Sequence, residues 1–94
     1  LNIQEFNHSI TLAAMPANLS LPLQALWHDK MGDWNKAHDL IDSLNDQSSA
    51  YVHAYLHRKE GDIWNADYWY SRAGKKRPQV TLDEEWTNLV QLLL

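Results

Sequence analysis

Residues 21–44 and 50–73 align with each other without a gap when the sequence is slid by 29 positions. Six pairs are identical: Ala25/Ala54, His28/His57, Lys30/Lys59, Gly32/Gly61, Asp33/Asp62 and Ala37/Ala66. Chance gives roughly one or two in a comparison this short. The identities fall where a helical hairpin has chemical requirements. Glycine accepts the left-handed dihedrals of a tight turn, and the aspartate after it caps the next helix. Alanine at 25 and 37, and again at 54 and 66, lets two antiparallel helices cross closely. Neither hairpin can bury its apolar stripe alone, so the two units must stack and other helices must cover their ends.

The flanks supply those covers. In Leu1–Ala14, Ile3, Phe6 and Ile10 keep helical spacing, and Asn2 with Glu5 forms a capping box. Pro16, Asn18 and Ser20 break the pattern, and Ser20 caps a helix over residues 21–31, where Pro22 is tolerated in the first turn. Trp34–Leu44 follows, with Trp34, Ala37, Ile41 and Leu44 on one stripe. Ser48 or Ser49 opens the next helix, which runs to Glu60, and Ile63–Ala73 completes the second unit. Pro78 prevents continuation, and Thr81 with Glu84 opens a last helix whose Leu82, Trp86, Leu89, Val90 and Leu93 share a face. No segment alternates as a strand would. The expectation is one all-α domain over 1–94: N-terminal helix and linker 1–20, repeats 21–44 and 48–74, and a capping helix 81–94.

Composition narrows the function classes. A chain of 94 residues has a small core, and five Trp, four Tyr and one Phe enlarge it. The absence of Cys excludes disulfides, thiolate metal sites and a cysteine nucleophile. A net charge of −4 argues against general nucleic-acid or anionic-membrane binding. With no apolar run of membrane-spanning length and no signal-peptide pattern, a cytoplasmic location is expected.

The run Gly61-Asp62-Ile63-Trp64-Asn65-Ala66-Asp67-Tyr68-Trp69-Tyr70-Ser71-Arg72-Ala73 resembles the second half of a tetratricopeptide or Sel1-like repeat. Ala66, Trp69, Tyr70, Arg72 and Ala73 carry the Sel1-like part, and Gly32-Asp33-Trp34-Asn35-Lys36-Ala37 is similar to the tetratricopeptide turn. The segment His53–Asp62 also resembles one found in small bacterial proteins. The resemblance covers about 21–74 and implies two stacked hairpins wound as a right-handed α-α superhelix with capping helices. It implies a protein-interaction module whose first helices line a concave groove. Carried onto this chain, the groove holds Leu26, Lys30, Tyr51, Tyr55, Arg58 and Lys59, with Asp29 beside them, suited to a peptide bearing aromatic or carboxylate groups. The carboxylate-clamp pattern of some chaperone-binding members is absent, since Pro22 and Leu26 stand at two of its polar positions. The period of 29 is also shorter than the tetratricopeptide's, which shortens the turn at Asn45–Gln47.

Other constellations compete with the groove. His53, His57 and Glu60 share one helical face at i, i+4 and i+7, a spacing able to hold Zn²⁺. The preferred reading is two packing histidines, so neither metal nor cofactor is expected. His38 and Asp42 read as a surface pair. Lys75-Lys76-Arg77 reads as a helix C-terminus complementing its dipole, in preference to an anion contact. Trp64 and Tyr68 fall outside the buried stripe of their helix and are candidates for an exposed pair, suited to a homodimer or partner contact. With no Gly-rich phosphate loop and no nucleophile elbow, an enzyme is not expected. A non-catalytic module binding a protein or peptide is the leading expectation. Self-association is the alternative, ahead of metal-dependent or hydrolytic chemistry at His53, His57 and Glu60.

Overall fold

Six helices and no strands make up the chain in a computed structural model that describes all 94 residues. They are α1 (Ile3–Thr11), α2 (Leu21–Lys30), α3 (Trp34–Ile41), α4 (Gln47–Glu60), α5 (Ile63–Arg72) and α6 (Leu82–Leu93). Each begins at a side chain that accepts a bond from an otherwise unpaired backbone N–H: Asn2, Ser20, Asp33, Asp46, Asp62 and Thr81. At α4 the cap is Asp46, not Ser48 or Ser49. Its carboxylate accepts from Ser49 N–H at 3.1 Å, and the Ser49 side chain, then this backbone N–H, hold its pKa below the usual carboxylate value. An ionised acceptor at a helix start also meets the positive end of the dipole, so it is preferred over a hydroxyl one turn on. At α6 the Thr81 hydroxyl accepts from Glu84 N–H and itself donates to the Glu84 carboxylate.

The Gly-Asp turns are alike in both units. Gly32 and Gly61 each take φ +89°. Asp33 N–H bonds to His28 O at 2.9 Å and Asp62 N–H to His57 O at 3.0 Å, so equivalent carbonyls are satisfied by equivalent donors. These turns fold α2 against α3 and α4 against α5, and Ala25, Ala37, Ala54 and Ala66 are all fully buried. Helix α3 stops at Ile41, three residues short of the expected Leu44, and α1 stops at Thr11 before a left-handed Ala13.

Helix α4 is central, packing on α2, α3, α5 and α6. The main core joins Leu23, Leu26 and Trp27 of α2, Ala37 and Ile41 of α3, Val52, Tyr55 and Leu56 of α4, and Phe6 of α1. From α6 come Trp86, Leu89 and Val90. The Trp86 indole N–H donates to Leu26 O at 2.9 Å, and the Trp27 indole donates to Ser9 at 3.0 Å, fastening α6 and α1 to α2. No helix is long and apolar enough to cross a membrane.

Candidate functional site

Helix α6 lies across α2 and α4, on the face where an open groove was expected. Leu26 is fully buried, and Tyr55 is buried with its hydroxyl donating to Asp29 Oδ2 at 2.9 Å. Lys59 Nζ meets the other oxygen of Asp29 at 2.9 Å. Arg58 donates to Glu85 Oε1 at 2.7 Å and to Val80 O, and Lys30 pairs with Asp83 while its ammonium sits 4.6 Å from the Trp86 ring centroid. Tyr51 is half-buried edge-on to Tyr70. The six groove candidates therefore do not line an open channel. Leu26 is core, Lys30, Tyr55, Arg58 and Lys59 bridge α2, α4 and α6, and Tyr51 faces α5.

The histidines converge differently from the expected trio. His53 and His57 sit on the face of α4 that meets α3, and the third ring there is His38, not a Glu60 ligand. His38 Nε2 lies 3.2 Å from His53 Nε2, and one nitrogen of each of the three rings lies within 4.8 Å of the others. Asp42 Oδ1 approaches at 3.7 Å from His38 Nε2 and 4.0 Å from His53 Nε2. Glu60 instead receives the N–H of His57 Nδ1 at 2.6 Å. Trp69 stacks on His53 with ring centroids 3.9 Å apart, and Trp34 stacks on His38 at 5.0 Å. Burial, reinforced by the neighbouring His57 and His38, pushes the His53 pKa down to about 4, against a smaller opposing effect of Asp42. His53 is thus neutral at pH 7. His28 does not join this cluster; its ring lies against Trp27.

The exposed face with the most distinctive chemistry belongs to α5 and the arm that follows it. Trp64 is 81% exposed and Tyr68 46%, and Arg72 continues their i, i+4 stripe. The Arg72 guanidinium bonds to the Tyr68 hydroxyl at 3.1 Å and lies over the Trp69 ring. Asp67 and Ser71, helical neighbours of that stripe, open an 830 Å³ depression whose far wall is Lys75, Lys76, Arg77, Pro78 and Gln79. These three cations lie beyond the last residue of α5, in an arm turned by Gly74 at φ +71°. Arg77 reaches back to Asp67 at 3.1 Å and Lys75 lies over the Tyr51 ring, so the arm does more than complement the dipole of α5. Four of the chain's eight Lys and Arg residues, Arg72, Lys75, Lys76 and Arg77, fall within this pole of an otherwise acidic molecule. Sequence spacing alone separated Trp64 and Tyr68 from the core; it did not fold the basic arm back onto Asp67 of α5.

No protein-family model, curated protein or solved structure matches the chain.

Proposed function

We propose that this chain is a non-catalytic helical adaptor. Its two hairpins form a tetratricopeptide/Sel1-like pair, and it docks an acidic peptide bearing an aromatic or large apolar side chain. The docking surface is α5 with the 74–79 arm, in place of the concave groove. The supporting observations are an 81% exposed Trp64 on α5 and, along the same helix, an open depression lined by Lys75, Lys76 and Arg77. A large aromatic left in water is the residue type that contributes most when an interface covers it, and the cations steer and orient carboxylates. Only Asp67 offsets them locally, through Arg77.

The test is a titration of the protein with a synthetic peptide alternating Glu with Phe, followed by calorimetry at two salt concentrations. Binding should weaken with salt, and Trp64→Ala should weaken it more than about tenfold without changing helicity. Binding that is indifferent to Trp64→Ala overturns the placement, and absence of binding overturns the reading. A concentration-dependent mass abolished by Trp64→Ala would instead make a second copy of the chain the occupant.

A further inference from the structure

The seam between the two hairpins carries a chemistry that peptide docking does not use. We propose that His38, His53, His57 and Asp42 form a binding site for a divalent transition metal of the Zn²⁺ class, joining α3 to α4, with Glu60 orienting His57.

Three of the donors approach the spacing of a coordination shell, and the fourth, on His57, lies near the other two rings. Four ligands at Zn–N distances of about 2.0–2.1 Å stand about 3.3 Å apart along the edges of a tetrahedron. His38 Nε2, His53 Nε2 and Asp42 Oδ1 are separated by 3.2, 3.7 and 4.0 Å. The His57 nitrogen completes the set within 4.8 Å of the other two ring nitrogens. With the His38 and His53 rings held, closing the longer edges on an ion falls to Asp42 and His57. Three imidazoles with one carboxylate suit Zn²⁺, Co²⁺ or Cu²⁺ and not the hard cations Mg²⁺ and Ca²⁺, which take oxygen.

The surroundings also fit. The His57 Nδ1–H donates to Glu60, which leaves the Nε2 lone pair free to ligate; a carboxylate behind a ligating histidine is the usual arrangement at such sites. Trp69 against His53 and Trp34 against His38 limit ring rotation, so the donors lose little freedom on binding. Asp42, with 61% of its side chain exposed, and His38, with 20%, provide the entry path. With Asp42 ligating, the shell is closed, so the site holds the hairpins together and leaves no position for an activated water.

Zn²⁺ added to the chelator-stripped full chain should bind at one ion per chain by calorimetry, and Co²⁺ should give the intense visible bands of tetrahedral coordination. His38→Ala should weaken Zn²⁺ by at least about tenfold and remove those bands, and Glu60→Gln should weaken it by about tenfold. The paired variant His8→Ala/His28→Ala, which removes the two histidines outside the cluster, should bind as the wild type does. Far-UV circular dichroism monitors the fold; if His38→Ala does not fold, Asp42→Asn carries the same expectation from an exposed position. Wild-type uptake no greater than that of the folded His38→Ala variant, or loss of binding in the His8/His28 variant, overturns the site and leaves the three rings as hydrogen-bonded packing.

Discussion

Two buried carboxylates, Asp29 and Glu85, are each bound by one tyrosine hydroxyl and one cation. Tyr55 and Lys59 hold Asp29, while Tyr70 and Arg58 hold Glu85. Three of these four partners come from α4, so one helix neutralises carboxylates delivered by both α2 and α6. Burying a carboxylate is costly unless it is paired and hydrogen-bonded, and removing one partner leaves that cost uncompensated. Tyr55→Phe should therefore destabilise by about 1 kcal/mol, the value of one buried hydrogen bond, as measured by urea denaturation. Lys59→Glu should destabilise by about 2 kcal/mol, less than for a fully buried pair because Lys59 keeps part of its side chain in water. A groove-facing lysine would tolerate the same change, so an unaltered denaturation midpoint would return Lys59 to solvent. The sequence reveals the residues of these clamps but not their roles. Tyr55, Arg58 and Lys59 look like a binding surface because tyrosine and cations are what both a recognition face and a buried carboxylate require.

Capping and turn chemistry act within a few residues, which is why the elements were the most legible level. Gly32-Asp33 and Gly61-Asp62 stand where expected, with matching dihedrals and matching carbonyl partners. At Gly61 an added Cβ would meet nothing within 4 Å, so the penalty for replacing it is conformational and not steric. Gly61→Val should cost more than about 1 kcal/mol, and Gly61→Asn, which tolerates the left-handed region, should cost less. Equal melting temperatures for the two variants would show that the turn relaxes to another conformation. Legibility failed where a side chain reached across elements. His38 lies off the Trp34–Ala37–Ile41 stripe and looks like a surface partner for Asp42 until α3 and α4 are set side by side. The short Asn45–Gln47 turn hinted at that proximity, but it did not say which faces would meet. The α4 start shows a smaller version of the same limit, since Asp46, Ser48 and Ser49 are all competent caps. The backbone path and the charge of the carboxylate together select Asp46, and Asp46→Ala should lower stability by about 1 kcal/mol, read from the same denaturation curves.

At the scale of the molecule, the decisive event is the docking of α6 onto α2 and α4. Its amphipathic stripe announced a buried face, but periodicity names no partner. With two hairpins the core is too small to stand without that cover, and Trp86, Leu89 and Val90 become core residues. Tyr70–Glu85 and Tyr55–Asp29 place a titratable phenol at each of the two seams that close the structure: α5 to α6, and α4 to α2. Burial raises both phenol pKa values far above the ordinary value near 10, and the adjacent carboxylates add to the shift. In the unfolded chain the same phenols ionise near pH 10. Their contribution is therefore fully present below that pH and is lost as pH rises beyond it, because the unfolded state releases protons that the folded state retains. The melting temperature should decline steeply above about pH 10. The Tyr55→Phe/Tyr70→Phe variant, less stable at neutrality, should decline less over the same interval. Every other group is common to both proteins, so the difference between their slopes isolates the two phenols. Phenolate absorbance adds a second readout, since these tyrosines should ionise only as the helices unfold. Parallel pH profiles for variant and wild type would mean that neither hydroxyl is held at its seam in solution.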